Sequence, residues 1–386
     1  MRTCDVLIVG GGPAGSSCAW ALRDSGLSVL LLDKATFPRN KVCGGWITPF
    51  VPESLEIDLN DYARGRTLQP IREFRVSCIG QKEVPVAYDR TVSYGIRRSE
   101  FDEYLLRRCG AELHEGTSIS KIEPARDGWI VNEQFRTRLL VGAGGHFCPV
   151  AFALGPRSAP ENAVVAQEIE FEMDSQQAEA CKIQAHAPEL YFCRDAQGYG
   201  WCFRKENFLN IGLGRLDRHK LSAHVAEFAA VLRSSGRIGF DLPQRFPGHA
   251  YLLFGYSPRR IVDDNVILIG DSAGLAYSQS GEGIRTAVES GLLAGLVIQL
   301  ARGQYSRDAM RLYSALLTER FGPKRGLLSA ISGIVPRGLR NLAARQLLKT
   351  SSFCRRVVID SWFLREHDTP LRLIPAVTQT QAVQSA

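Results

Sequence analysis

Several features that would assign a chain to a broad class are missing from this sequence. No apolar run reaches the roughly 18 residues that a membrane-spanning helix needs. The 10 cysteines are scattered, with no C-x-x-C pair and no Cys/His cluster at zinc spacing. We therefore expect neither an integral membrane protein, a disulfide scaffold nor a zinc protein. The cysteines are expected to be mostly buried and reduced, in a cytoplasmic protein.

Two further absences concern targeting and charge. Asp5 and a glycine-rich stretch occupy the place of a secretory signal's apolar core, so no such signal is expected. Acidic residues are missing between Glu319 and Asp360, where nine basic residues lie among leucines and isoleucines. This basic segment, residues 320–356, is suited to peripheral contact with an anionic membrane; a solvated basic face on a packed helix is the alternative. No recognition motif for nucleic acid accompanies the charge, so nucleic acid is not an expected partner.

The strongest positive signal is the glycine pattern near the N-terminus, which lies between two apolar runs typical of buried parallel strands. Gly10 permits a tight turn, Gly12 lets the backbone approach a pyrophosphate, and Gly15 lets the following helix pack on the strand. Asp33, at the end of the second run, can accept hydrogen bonds from a ribose. The residues expected to hold a dinucleotide here are Gly10, Gly12, Pro13, Ala14, Gly15, Asp33 and Lys34.

A second element indicates which dinucleotide is held. A buried strand leads into Gly270-Asp271, and Gly281-Glu282-Gly283-Ile284 opens a long helix. Asp271 can bond a ribityl hydroxyl, and the positive helix start can present N–H groups to a flavin. These residues favour FAD, with Gly270, Asp271, Gly281, Gly283 and Ile284 as cofactor-binding residues. A second G-x-G-x-x-G for bound NADPH is missing, so NAD(P)H or another reductant is expected only as a transient electron donor.

The order of these motifs resembles a known superfamily. GGGPAG, Asp33, the R-x-x-F-D-x-x-L pattern from Arg98, the VGAGG strand end and the GDSAG…GEGI block are similar to flavoprotein monooxygenases of the p-hydroxybenzoate hydroxylase fold. Within it, Pro38-Arg39-x-Lys41-x-Cys43-Gly44-Gly45 and Tyr199-x-Trp201-x-Phe203 look like the geranylgeranyl reductase branch. The resemblance covers most of residues 1–300.

The expected fold class is α/β: a discontinuous Rossmann-like FAD-binding domain, an inserted antiparallel β-sheet substrate domain and a helical C-terminal region. The predicted segments are 1–50, 94–158 and 256–305 for FAD, 51–93 and 159–255 for substrate, 306–375 for the helical region, and 376–386 for a disordered tail.

Cys43 has two interpretations. The resemblance implies that Cys43-Gly44-Gly45 lies beside the isoalloxazine ring, where a thiol can donate a proton to one alkene carbon while the flavin gives hydride to the other. Alternatively, Cys43 is a small residue that fits beside the ring. The family motifs assign Lys41, Gly44, Gly45 and Arg98 to the cofactor; a surface ion pair with Glu100 or Asp102 is the alternative for Arg98.

Three aromatic side chains fall on one face of a predicted strand, because side chains alternate along strands. Tyr199, Trp201 and Phe203 are interpreted as a wall of the substrate cavity, and core packing of the second domain is the alternative. The proposed catalytic residues are Cys43, Tyr199 and Trp201, and the proposed substrate-binding residues are Trp46, Tyr199, Trp201 and Phe203.

The sequence departs from the family pattern where Gly144, Ser278 and Arg204 replace an acid and two prolines. The change at Arg204 suggests an altered substrate cavity. The expected function is an FAD-dependent oxidoreductase that reduces C=C bonds of an isoprenoid or another apolar small molecule. The alternative enzyme is a flavin monooxygenase or hydroxylase of an aromatic or polyketide-like molecule, and a flavoprotein used only for binding is a third class.

Overall fold

The computed structural model describes residues 1–155, 161, 163–217, 219–322 and 337–372. The strands are β1 (Arg2–Val9), β2 (Val29–Leu32), β3 (Trp46–Ile47), β4 (Leu68–Ile71), β5 (Glu73–Cys78), β6 (Val84–Ala87), β7 (Ser93–Ile96), β8 (Glu112–His114), β9 (Ile122–Ala125), β10 (Gly128–Val131), β11 (Phe135–Gly142), β12 (Ala163–Glu172), β13 (Glu189–Phe192), β14 (Gly198–Lys205), β15 (Phe208–Arg215), β16 (Gly248–Leu252), β17 (Val262–Asp263) and β18 (Val266–Leu268).

The helices are α1 (Pro13–Leu22), α2 (Phe50–Ser54), α3 (Leu59–Tyr62), α4 (Arg98–Arg107), α5 (Pro149–Ala153), α6 (Ser175–Ala180), α7 (Leu221–Ser234), α8 (Ile284–Leu300) and α9 (Arg311–Phe321), followed by the helix Arg337–Leu347. A 3₁₀ turn spans Gly270–Ser272. Near the end of the described chain, a short helix, Ser351–Phe353, continues as a π-helical stretch, Cys354–Phe363. We call residues 351–363 the C-terminal helix.

The first sheet is built around β1, whose apolar side chains are fully buried. The strand order is β17-β18-β11-β1-β2-β8, with β9 and β10 attached beside β11. β1 pairs in parallel with both β2 and β11, and this arrangement explains the unbroken apolar runs, because helices cover both faces of such a sheet. α1 and α8 pack closely there: a side chain added at Gly291 would lie 2.3 Å from the Ala14 carbonyl oxygen.

The second sheet has the order β16-β12-β15-β14-β13-β5-β6. It is antiparallel except where β13 pairs with β5. One face packs against α7, and the opposite face carries Trp201 and Phe203. The predicted fold class is therefore confirmed. Residues 51–93, predicted as part of the β-sheet substrate domain, also contain helices, since they include most of α2 and all of α3. Their strand β4 pairs with β7 in a small third sheet that also contains β3.

The basic segment is only partly exposed. The guanidinium of Arg320 lies 2.6 Å from the Glu289 carboxylate, and Arg345 is half-buried, so these two residues do not belong to an exposed basic face. Residues 323–336 of this segment and the predicted tail 376–386 lie outside the described residues. Within the described parts of the chain, no helix has the length and apolar character needed to cross a membrane.

Candidate active site

One cavity brings together residues from both large sheets, the loop before β3, and the C-terminal helix. Among the residues singled out from the sequence, it is lined by Gly10, Gly12, Pro13, Ala14, Asp33, Lys34, Lys41, Cys43, Gly44, Gly45, Trp46, Arg98, Tyr199, Trp201, Phe203, Asp271, Gly281, Gly283 and Ile284. Gly15 and Gly270 lie behind the wall. A Cβ at Gly15 would meet the Gly10 carbonyl oxygen at 1.9 Å, and one at Gly270 would meet Ala14 at 2.8 Å, so both permit close packing.

The end of the cavity beside α1 carries excess positive charge. Arg98, the first residue of α4, forms two 2.8 Å hydrogen bonds to the buried carboxylate of Asp102. Arg39 reaches the same carboxylate at 3.1 Å, so one anion faces two cations. The other terminal nitrogen of Arg39, Nη1, is buried and has no hydrogen-bond partner among the described residues.

These groups fit a pyrophosphate. The unsatisfied guanidinium of Arg39 borders Gly12, where an added Cβ would meet only the Arg39 Nη2 atom within 4 Å, at 3.5 Å. The backbone at Gly12 is therefore accessible from the cavity, and the N-terminus of α1 adds a partial positive charge. The ion pair that was predicted for Arg98 at the surface is thus buried, with Asp102 as the partner. Arg98 lines the cavity as well.

Asp33 directly follows β2, and its carboxylate is fixed by two backbone groups. Its Oδ2 atom accepts a 2.7 Å hydrogen bond from the N–H of Gly11, and its Oδ1 atom accepts one of 2.8 Å from the N–H of Ala35. Each carboxylate oxygen has a second lone pair. Because Asp33 also lines the cavity, its carboxylate is able to accept a hydroxyl of a bound ribose.

A polar trio lines the middle of the cavity. The Lys41 Nζ atom lies 2.7 Å from Nε2 of His249, which is itself 3.6 Å from the Asp271 carboxylate. Burial lowers the pKa of Lys41 to about 8. Burial by itself would raise the pKa of Asp271, but the contact with His249 and the charges of His249, Lys41 and Arg98 outweigh it and lower that pKa. Asp271 is thus kept ionised as a hydrogen-bond acceptor.

The turn before α8 is held from behind by two tyrosines. Gly281 has φ +70°, and a Cβ there would lie 2.4 Å from the Tyr251 hydroxyl oxygen. The Tyr199 hydroxyl donates to the carbonyl oxygen of Ser280. The turn therefore approaches the aromatic residues as closely as its backbone allows, and Gly281, Gly283 and Ile284 remain on the cavity wall.

Cys43 is distinguished from the other cysteines by its position. All the cysteines are free, and only Cys43 is not fully buried. Its carbonyl oxygen accepts a 3.1 Å hydrogen bond from the side-chain amide of Asn210, whose oxygen accepts a 2.7 Å bond from the Trp201 indole N–H. Asn210 thereby ties Cys43 to Trp201.

Charged groups lie beneath the same loop. Lys205 is 1% exposed, is bonded to Glu170 at 2.6 Å, and has its Nζ atom 2.3 Å from where a Gly45 Cβ would be. Burial raises the pKa of Glu168 to about 7, although a backbone hydrogen bond from Cys43 and the charge of Lys205 oppose that rise. Arg98 also interacts with the Cys43 thiol. The Cys43 loop is therefore held by polar side chains of the second sheet.

The apolar side of the cavity is aromatic. The ring of Trp46 lies 5.7 Å from that of Phe203, and the ring of Tyr199 lies 6.0 Å from that of Trp201. Phe363 of the C-terminal helix completes this side: its ring stacks on Trp46 with centroids 5.2 Å apart and meets the edge of Tyr199 at 5.4 Å. These five residues form what we call the aromatic wall.

Several cavity residues were not identified as site residues from the sequence: Arg39, His249, Tyr251, Glu282 and Phe363. Asn210, which bonds the cavity residues Cys43 and Trp201, was not identified either. Arg39 stood within a recognised motif, but its partner Asp102 is distant in sequence. His249 and Tyr251 alternate on β16, a pattern that would have placed them together on one face. No group of histidine, cysteine or acidic side chains suited to a metal ion occurs in the described part of the chain.

Comparisons with known proteins agree with this geometry. A family profile described as FAD dependent oxidoreductase matches residues 5–92. Menaquinone reductase of Mycobacterium tuberculosis is 31% identical over an alignment of 346 residues, which covers 83% of this chain and 81% of the relative. Digeranylgeranylglycerophospholipid reductase of Methanocaldococcus jannaschii is 25% identical over 82% of each chain. A geranylgeranyl bacteriochlorophyll reductase-like structure from Thermoplasma acidophilum shares the fold, with TM-score 0.72, 22% identity, and coverage of 99% of this chain and 96% of that one.

Proposed function

Because the chain belongs to the geranylgeranyl reductase family of FAD-dependent oxidoreductases, we propose that it reduces C=C bonds in the isoprenoid chain of a lipid or quinone. The observation that carries this proposal is the aromatic wall, which borders the Cys43-Gly44-Gly45 turn on the same cavity as the dinucleotide residues. The names of two relatives, a menaquinone reductase and a digeranylgeranylglycerophospholipid reductase, support an isoprenoid lipid as the substrate class.

The residues divide into two groups with different tasks. Arg39, Asp33 and the α1 turn are suited to the phosphates and ribose of FAD, and Asp271 with the Gly281–Gly283 turn is suited to the flavin end. The aromatic wall excludes water and aligns the prenyl chain, because apolar rings gain free energy by covering an alkene chain. When bound, reduced FAD would supply the hydride for one alkene carbon, and NAD(P)H or another reductant would serve as its transient electron donor.

The second alkene carbon must receive a proton, and Cys43 is the residue we propose to donate it. Its thiol belongs to a residue that lines the cavity beside Gly44 and Gly45, and Arg98 interacts with it. Both C–H bonds are then accounted for, one by hydride and one by the proton, and the thiolate is reprotonated from solvent. Asn210 holds the Cys43 backbone in a fixed position relative to Trp201 during this step, because it bonds to both residues.

Substitution of Cys43 tests this assignment. In Cys43→Ala, the flavin spectrum and content should be retained, while alkene turnover should fall by about ten- to a thousandfold, the usual contribution of a general acid. The matched control is Cys148→Ala, a buried cysteine outside the cavity, which should keep its turnover. Full turnover by flavin-replete Cys43→Ala would leave Cys43 as a small packing residue.

The overall reaction is tested by anaerobic reduction. The enzyme is reduced chemically, mixed with menaquinone or with a geranylgeranyl glycerolipid, and followed by flavin reoxidation and by mass spectrometry of the lipid. We expect reoxidation together with a mass gain of two hydrogens per reduced double bond. Reoxidation by air through a rapidly formed flavin hydroperoxide, with no lipid reduction, would instead support the monooxygenase alternative.

We further propose that the enzyme acts at an anionic membrane surface through the exposed part of residues 320–356. Leu342 and Leu347 are 52% and 45% exposed on the helix Arg337–Leu347. Lys349, Arg355 and Arg356 are exposed just beyond them. Exposed leucines beside cations are typical of a peripheral membrane contact, and a prenyl lipid partitions into the bilayer.

A further inference from the structure

Among the described residues of the C-terminal helix, Phe363 is the one that lines the cavity. It is 2% exposed, so its ring is enclosed by protein and by the cavity. Its neighbours in the aromatic wall are Trp46, the first residue of β3, and Tyr199, on the second sheet. The ring therefore closes the apolar side of a cavity whose other walls come from the first 300 residues.

The C-terminal helix is fixed in place by contacts at several points along its length. The Tyr88 hydroxyl donates to the carboxylate of Asp360, and Arg355 donates a 3.0 Å hydrogen bond to the carbonyl oxygen of Ala87. Val358 and Ile359 are fully buried in the same apolar cluster as Phe74 and Leu190. Because these contacts set the position of the helix, the ring of Phe363 is a stationary part of the wall.

We propose that Phe363 determines how much of an apolar chain the cavity accepts, acting as a stop at its aromatic end. This inference rests on the proposed function, since it assumes a prenyl substrate. A longer chain gains affinity only while each added unit finds apolar surface to cover. The fixed ring of Phe363 ends that surface between Trp46 and Tyr199. The stretch that carries it is π-helical, a conformation that is frequent at functional sites.

Chain-length dependence of binding is the direct test. The FAD-loaded enzyme is titrated with geraniol, farnesol and geranylgeraniol, and dissociation constants are read from perturbation of the flavin absorption band, which requires no turnover. For the wild-type protein we expect affinity to stop rising with chain length within this series. In Phe363→Ala the rise should continue, improving the preference for geranylgeraniol over geraniol by about tenfold. The kcat/KM ratios for the same pair should shift in parallel.

Two further variants keep the result interpretable. Phe363→Leu preserves most of the buried volume and should show an intermediate shift if Phe363→Ala folds poorly. Trp362→Ala alters the adjacent residue, which packs on Phe192 and Phe353 and does not line the cavity, so its length profile should match the wild type. The proposal that Phe363 limits the accepted chain length would be overturned by an unchanged chain-length profile in both Phe363 variants. An equal shift of the profile in Trp362→Ala would overturn it as well. If the wild-type enzyme binds and reduces no prenyl substrate, the proposed function itself fails.

Discussion

Gly12 and Gly15, which follow β1, differ in the space that surrounds them. A Cβ at Gly15 would lie 1.9 Å from the Gly10 carbonyl oxygen, so any side chain there disrupts the packing of α1 on β1. A Cβ at Gly12 meets only the flexible end of Arg39 within 4 Å, at 3.5 Å. The protein alone therefore tolerates a side chain at Gly12, and only a ligand close to the backbone would not.

Gly12→Val should consequently produce a folded protein that fails to retain FAD. The branched side chain would occupy the space in which a pyrophosphate approaches the turn. Flavin content after purification and the far-ultraviolet circular dichroism spectrum are the measurements. Gly12→Ala, with a smaller side chain, should lose less affinity. Stoichiometric FAD in Gly12→Val would show that the pyrophosphate lies elsewhere.

Glu168 illustrates the energetic consequence of holding the Cys43 loop with buried polar groups. It is 5% exposed, and its Oε2 atom has no hydrogen-bond partner within the described residues. Ionising such a carboxyl in the folded state is unfavourable, because water no longer solvates the charge. The folded protein therefore favours the protonated acid more strongly than the unfolded chain does.

The pH dependence of unfolding should reveal this carboxyl. Its pKa rises from 4.5 to about 7 on folding, so the stability that it contributes is complete below pH 4.5 and is lost as the pH rises through 7. Glu168→Gln should therefore become more stable relative to the wild type as the pH rises. The difference in unfolding free energy between variant and wild type should be up to roughly 3 kcal/mol larger above pH 7 than below pH 4.5. Urea unfolding across this range is the measurement. Glu172→Gln, which removes a carboxylate from the exposed end of the same strand, is the matched control.

At the scale of elements, α8 links the cofactor side of the molecule to its C-terminal end. Arg285, which is fully buried, bonds Glu289 at 2.9 Å and Asp368 at 3.0 Å. Arg320 of α9 joins the same Glu289 carboxylate. The chain just after the C-terminal helix is thus tied to the helix whose N-terminus lines the cavity.

Asp368→Asn should loosen this connection. Arg285 would keep Glu289 but lose a charged partner, and hydrogen bonds to charged groups contribute about 1.5–3 kcal/mol. Hydrogen exchange of residues 351–363 should accelerate correspondingly, while exchange in β1 should not change. Asp308→Asn, which removes an exposed ion pair with Arg311, is the control and should have no effect. Equal protection in both variants would mean that apolar packing alone holds the C-terminal helix.

The sequence predicted those elements that are specified by residues close together in the chain. The β1–α1 turn is specified by consecutive residues, and its strand, glycines and Asp33 follow the predicted order. Phe363 could not be predicted as a cavity residue, since only the packing of the C-terminal helix brings it to Trp46. Asn210 gave no signal for the same reason: its partners, Cys43 and Trp201, come from different elements.

For the whole molecule, the exposed charges of the C-terminal region fall beside exposed apolar groups. Of the basic segment, Arg320 is engaged with Glu289, whereas Lys349 and Arg356 are exposed. Leu342 and Leu347 are exposed on the preceding helix. The same region continues into the C-terminal helix that carries Phe363, so a membrane contact here would bring lipid near the element that closes the cavity.

This contact predicts salt-sensitive binding to anionic vesicles. Each exposed base near the surface contributes about 1 kcal/mol at low ionic strength, and salt screens that attraction. Co-sedimentation with phosphatidylglycerol vesicles should exceed that with phosphatidylcholine vesicles and should fall in high salt.

Two double variants separate the contributions of charge and of apolar contact. Lys349→Glu with Arg356→Glu should reduce the binding to phosphatidylglycerol vesicles by about tenfold or more. Leu342→Ser with Leu347→Ser should weaken that binding at every salt concentration. Leu216→Ser, at a leucine that is also 52% exposed but lies outside this segment, is the matched control. Equal, negligible binding of the wild type to both lipids at low salt would make the basic segment a solvated face. The enzyme would then have to receive its substrate from solution.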